Sequence, residues 1–257
     1  MLLGKLTHMR VMKIYKILLG PVLLVQGRQL RRMALRLPEA AGDRAGVVLN
    51  EGPELKLLFV GDSTMAGVGV HDQTAALAFQ AASILSHRLG RSVRWQLLAQ
   101  TGLNTRRALE FVKEHQLLPA DVLVTSLGVN DVTSQRTPYQ FVTAFEALIQ
   151  GIFQRVGAQY AVISGLPPMH LFPVVPEPLR WYLGRCADLL DEHLRRWIAP
   201  QRNIAYLSTR WSFDPKEMAA DGYHPGKSLY GKWAGLVADK VVDLLSQQRV
   251  ESQTQGR

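Results

Sequence analysis

From Leu55 onward, short apolar runs alternate with longer stretches whose apolar positions recur at helical spacing. This is the pattern of parallel strands joined by crossover helices. Runs at 55–60, 93–99, 121–127, 159–164 and 203–207 predict five strands, and segments near 73–89, 104–116, 138–156, 178–198 and 225–246 predict the helices. Asn104 stands where it can cap the second helix, and Thr137-Pro138 supplies a cap and a first-turn proline for the third. Gly90 and Gly157 follow helices, where a left-handed residue closes the last turn. No repeat of fixed period and no low-complexity tract interrupts this rhythm, so one α/β domain with a five-stranded parallel sheet is expected over residues 54–247. The last residues, 248–257, read as a polar tail.

The chain ahead of Leu55 follows a different pattern. Residues 1–37 form a basic, apolar arm, with an uncharged run from Ile17 to Val25 between Lys13, Lys16 and Arg28. That run is too short to span a bilayer, which needs about 20 apolar residues, and Pro21 is expected to interrupt it. A positive start with a short apolar centre also suits a secretory signal, but "VQGRQLRRM" offers no small-x-small cleavage site, which disfavours secretion. On a helix, Lys13, Lys16 and Gly20 share one face, with Ile14, Ile17, Leu18 and Val22 opposite. Two readings stay open for the arm: it lies on an anionic membrane surface, or it packs on the protein's own core. The location expected is cytoplasmic or peripheral on the inner face of a membrane. Residues 38–53, small and polar, read as a linker.

Charge sharpens this division. The net charge is +9, but eight of the 30 basic residues precede Pro38, where there is no acid, leaving 22 against 21 acids in the body. A phosphate-tracking groove needs basic residues spread over the folded body, so nucleic acid is not an expected partner. The single cysteine, Cys186, cannot form an internal disulfide and reads as core filling in a helical stretch.

In parallel sheets of this kind the C-terminal ends of the strands share one edge, where ligands bind. Polar groups collect there. Gly61-Asp62-Ser63 follows the first strand, Thr101-Gly102-Leu103-Asn104 the second and Gly128-Val129-Asn130-Asp131 the third; the loop after the fifth ends in Asp221-Gly222-Tyr223-His224-Pro225. Ser63 is the candidate nucleophile, at a strand tip where a following helix N-terminus would favour developing negative charge. His224 is the candidate general base, and Asp221, three residues earlier, the group that orients it. The backbone N–H groups of Ser63 and Gly102 and the side-chain amide of Asn130 are candidate donors to an oxyanion. Each residue alone has a plainer reading, as a helix cap, a turn glycine or a loop amide. Their order, each just past an expected strand, carries the inference.

Together these blocks resemble the SGNH hydrolases, also called the GDSL esterase and lipase family, from about Leu55 to the C-terminal helix. The resemblance implies a flavodoxin-like three-layer α/β/α sandwich and hydrolysis of carboxylic esters through an acyl-serine, with a small acyl ester as substrate and neither cofactor nor metal. Thr64 stands where the family name calls for leucine, at a position without a chemical role, and the resemblance makes Asp62 structural. The acyl group is left open among arylesterases, thioesterases, lysophospholipases and carbohydrate deacetylases. "LPPMHLFPVVPEPLRWYLG", residues 166–184, is rich in proline and large apolar residues (Leu171, Phe172, Val174, Val175 and Trp181) and reads either as an apolar wall suited to acyl chains or as a cover over its own core.

Other chemistries fit less well. "PGKS" lacks the first glycine of a phosphate-binding loop, since Asp221 occupies that position. His71, His87, His115, His170 and His193 are scattered singly, without ligand spacing for zinc. A noncatalytic module using the same sheet edge remains the alternative from another class.

Overall fold

A computed structural model describes the backbone of residues 2–210 and 214–255 and the side chains of 15–210 and 214–247. Its central strand shows why a sheet forms. In β2 (Gly52–Gly61), Leu57 and Phe59 enter one core cluster while Leu58 and Val60 enter the other, so one strand buries both faces. Beside it lie β1 (Ala45–Val48), β3 (Arg91–Ala99), β4 (Val122–Ser126), β5 (Tyr160–Ser164) and β6 (Ile204–Leu207) in the order β1-β3-β2-β4-β5-β6. The last five are parallel. The expected α/β sandwich is therefore present, with six strands rather than five.

The extra strand is β1, antiparallel to β3 from Ala45↔Gln96 to Val48↔Val93, and it lies in the segment expected to be a linker. Four residues of small and apolar type are too few to show a period, and this strand is defined by its partner rather than by its own pattern. The helices are α1 (Leu2–Met33), α2 (Leu77–Leu89), α3 (Thr105–Lys113), the short α4 (Val129–Thr133), α5 (Pro138–Val156), α6 (Leu179–Ile198) and α7 (Lys227–Gln255). Residues from α3, α5 and α6 fill one side of the sheet, and residues from α2 and α7 the other.

The expected punctuation is present. Asn104 accepts from Arg107 N at 3.0 Å, and Thr137 and Gln140 cap each other's backbone N–H. Gly90 and Gly157 close α2 and α5 at φ 61° and 74°. Two expectations shift. α1 runs through Pro21 rather than stopping at it, and α7 continues to Gln255, into the segment expected as a tail, whose side chains lie outside the described residues.

Within the parallel set the chain enters at β2, crosses to β3 on one side and then to β4 on the other, so β2 sits where the winding reverses. Such a switch point leaves a crevice at the strand's C-terminal end. Ser63 lies two residues past that end.

Candidate active site

The Gly61–Gly69 loop is shaped by what its glycines allow. A Cβ at Gly61 would lie 2.5 Å from Met65 Cβ and 2.7 Å from Ser126 O, so only glycine lets the strand end there. Asp62 then braces the turn, its carboxylate accepting from Thr64 N at 3.1 Å and its carbonyl from Ala66 N at 2.9 Å. Ser63 sits in this turn. Residues 63–69 are turns, and the helix expected near 73–89 is α2, which begins at Leu77, several residues beyond the serine. The N-terminus of α2 therefore does not directly follow the hydroxyl.

The second half of the site arrives on the loop before α7. Gly69, at φ 106°, would place a Cβ 2.2 Å from Pro225 O, so its missing side chain is what lets the 221–225 loop close against the serine loop. Tyr230 of α7 fastens the contact, its buried hydroxyl 2.8 Å from Thr64 O and 2.7 Å from Val68 O.

Asp221 divides its two oxygens between structure and chemistry. One accepts from Tyr223 N and His224 N at 2.9 and 3.0 Å, fixing the loop. The other lies 2.6 Å from His224 Nδ1, and His224 Nε2 lies 2.8 Å from Ser63 Oγ. With Nδ1–H donating to the carboxylate, Nε2 is left as the acceptor facing the serine hydroxyl. Burial alone would raise the Asp221 pKa; the His224 ring and the two N–H groups outweigh it, holding the carboxyl below its ordinary range.

Two neighbouring carboxyls behave oppositely. Asp62 and Asp131 are both pushed up by burial to about 6, only partly offset by donors from Thr64 and Thr105 respectively. Asp131 accepts from Thr105 N and Oγ1, both at 2.9 Å, and so ties α4 to the start of α3.

The candidate oxyanion donors differ in how they are held. Among the described residues the N–H groups of Ser63 and Gly102 have no acceptor. Gly102 adopts φ 84° in an exposed turn and does not line the cavity beside Ser63. The Asn130 amide does line it, but donates to Leu103 O at 3.0 Å and to Asp62 Oδ2 at 3.3 Å, so its donor capacity is already engaged. One contributor escaped the sequence reading. Glu39, in the expected linker, accepts from Thr101 N at 2.6 Å and pairs with Arg44, whose Nη1 reaches Ala99 O at 2.6 Å. The turn carrying Gly102 is held from a segment some 60 residues earlier, which no local pattern could announce.

Ser63 and His224 open on a cavity of ≈ 100 Å³ whose apolar walls include Leu127, Phe172 and Trp233. Phe172, from the apolar 166–184 stretch, packs edge-on against Tyr223 at 5.0 Å.

Residues 59–232 match the model of the GDSL-like lipase/acylhydrolase family. No curated protein matches the chain in sequence. Among solved structures it is similar to a lipase from a goat rumen metagenome, with 18% identity and a TM-score of 0.54 over 71% of this chain and 95% of that one. It is also similar to a carbohydrate acetylesterase from Sinorhizobium meliloti (16%, 0.55, over 74% and 99%) and to a family 3 carbohydrate esterase from Clostridium thermocellum (17%, 0.57, over 76% and 98%). At these identities the likeness is one of fold.

Proposed function

Because the chain belongs to the GDSL-like lipase/acylhydrolase family, a family of carboxylic ester hydrolases, we propose that it cleaves acyl esters through an acyl-serine formed at Ser63. The single observation that supports this is the relay in which Ser63 Oγ meets His224 Nε2 at 2.8 Å and His224 Nδ1 meets Asp221 at 2.6 Å. As Ser63 Oγ attacks the carbonyl carbon, His224 Nε2 takes its proton, and the imidazolium is stabilised by the Asp221 carboxylate. The tetrahedral oxyanion is met by Ser63 N–H and by the Asn130 amide, which exchanges its longer bond, the one to Asp62, for the new charge; Gly102 N–H, in a turn outside the cavity lining, joins them once that turn moves inward. Collapse expels the alcohol with the proton returned from His224. Water, deprotonated by the same ring, then releases the acid and restores the hydroxyl.

The apolar walls at Phe172, Leu127 and Trp233 favour an acyl chain over a sugar as the group held beside Ser63. The full chain should react at Ser63 with a fluorophosphonate and hydrolyse nitrophenyl butyrate, and Ser63→Ala should lose both while keeping its melting temperature. Equal turnover in the two proteins would refute the reading.

A second role rests on α1. Ile17 and Leu18 are 77% and 72% exposed, with Val22 and Val25 also exposed beside the basic Arg28 and Arg32. This supports contact with an anionic membrane surface; Lys13 and Ile14, which share in the expected faces, lie outside the described side chains. Among the described residues no helix is long and apolar enough to cross a membrane. Co-sedimentation with phosphatidylglycerol vesicles should exceed that with phosphatidylcholine and fall for Ile17→Asp/Leu18→Asp; binding indifferent to lipid charge and to these changes would exclude this role.

A further inference from the structure

A second, larger hollow of ≈ 590 Å³ meets the first at Asn130, Tyr223 and His224. One wall belongs to the α/β body and includes Val174, Leu179 and Leu183. The facing wall is α1, through Gly20, Leu23, Gly27, Leu30 and Arg31. These positions recur at the three- and four-residue spacing of one helix face, so α1 presents a single stripe to the cleft while Ile17 and Leu18 face outward.

Two details argue that the space is kept open. Glycine inside a helix is unfavourable relative to alanine, yet Gly20 and Gly27, seven residues apart, both face the cleft. A Cβ at Gly20 would meet nothing within 4 Å, and one at Gly27 only Arg31 Nη2 at 4.0 Å. The glycines are therefore not needed for close helix packing, and their effect is to widen the cleft. The helix is also anchored at a definite place. Gln26 donates to Glu177 O at 2.7 Å and accepts from Leu179 N at 3.2 Å, Tyr15 packs on Trp181 at 4.3 Å, and Leu23 is buried in the core cluster.

We propose that α1 is the outer wall of an acyl-chain channel, and that the substrate is an ester of a long-chain fatty acid whose tail runs from Ser63 past Asn130 and His224 along the Leu23, Leu30 and Leu183 surfaces. This rests on the acyl-serine reading for its orientation, because the carbonyl must sit at Ser63 for the tail to enter there. Burial of successive methylenes against such walls raises kcat/KM about three- to fourfold each until the channel is filled.

The test uses the full chain, nitrophenyl esters from acetate to laurate, and the variants Gly20→Trp and Gly27→Trp, each placing a large side chain in open space. The expected result is a wild-type laurate-to-acetate ratio in kcat/KM well above one, reduced at least tenfold in either variant. A fluorescent dodecanoyl probe should bind Ser63→Ala and be excluded when Gly27→Trp is added, a readout independent of turnover. Unchanged ratios and unchanged probe binding would overturn the channel while leaving the acyl-serine reading intact. Length dependence on the alcohol side only, measured with long-chain alkyl acetates, would overturn it too. No turnover and no Ser63 labelling in the wild type, with the probe bound by Ser63→Ala and excluded once Gly27→Trp is added, would instead support the channel and remove the acyl-serine reading.

Discussion

The two hollows that meet at His224 differ in what fixes their walls. The small one is enclosed by strand ends and by loops that bind one another: Gly69 admits the 221–225 loop, Tyr230 fastens the serine loop, and Asp221 ties its own turn. The large one has one such wall, and its other is a helix that contributes no strand and little core, held through Gln26, Tyr15 and Leu23. On the proposed reading the sheet edge fixes the chemistry, whereas an accessory helix outside the sheet sets how much substrate fits. A change at the edge should affect every ester alike; a change on α1 should sort esters by length.

The sharpest way to break that comparison is at the relay. His224→Ala should lower kcat/KM on the order of 10⁴- to 10⁶-fold for acetate and laurate esters equally, since it removes the imidazole that meets Ser63 Oγ. Asp221→Ala should cost less, on the order of 10³- to 10⁴-fold, because the imidazole remains although its tautomer and orientation are no longer held. It should also lower the melting temperature, as two loop N–H groups lose their acceptor. Steady-state kinetics on both esters decide the matter, and a loss confined to the long ester would mean that the relay does not serve both.

A smaller effect is expected from Gly69→Ala. Its Cβ would collide with Pro225 O at 2.2 Å, and φ 106° is strained for alanine, so the His224 loop must move outward. A displacement of about 1 Å at a catalytic base costs on the order of 10²-fold. Fluorophosphonate labelling of Ser63 should slow by a similar factor, with the laurate-to-acetate ratio unchanged. Labelling at the wild-type rate would show that the loop tolerates the change.

These sites were legible in the sequence to different degrees. Ser63 could be placed because its polar block begins where the apolar run of β2 stops, and Asp221 and His224 because their block closes the loop between β6 and α7. Asn130 followed in the same way from β4, but nothing local announced that its amide is engaged by Asp62 and Leu103. The helix after Ser63 was legible near 73–89, but not the form of the loop that leads to it, in which Gly67 and Gly69, both with positive φ, hold the chain in turns. β1 and Glu39 were invisible for a shared reason: both act on partners about 50 to 60 residues away, β1 on β3 and Glu39 on Thr101. The division of α1 into an inner and an outer face was visible in its spacing, but what the inner face meets was not.

The smallest expected effect concerns the carboxyls beneath the edge, which give the two regions different responses to pH. Asp131 has a folded pKa of about 6 because burial disfavours its charge, so between its unfolded value and 6 the folded protein binds its proton more tightly than the unfolded chain does. Its contribution is most favourable below the unfolded pKa and declines as pH rises to about 6, by roughly 3 kcal/mol for a displacement of about two pH units. Asp62, raised for the same cause, adds a slope of the same sign. Asp221 and Glu39, held low, contribute the opposite slope only at more acidic pH, where their carboxylates take up protons. Urea midpoints should therefore be higher at pH 5 than at pH 7. Asp131→Asn keeps an oxygen able to accept from Thr105 N and Oγ1 but cannot ionise, so the difference between the two pH values should shrink by about 1–3 kcal/mol. If both proteins show the same slope, burial does not hold Asp131 near 6, and the edge is better solvated than its packing implies.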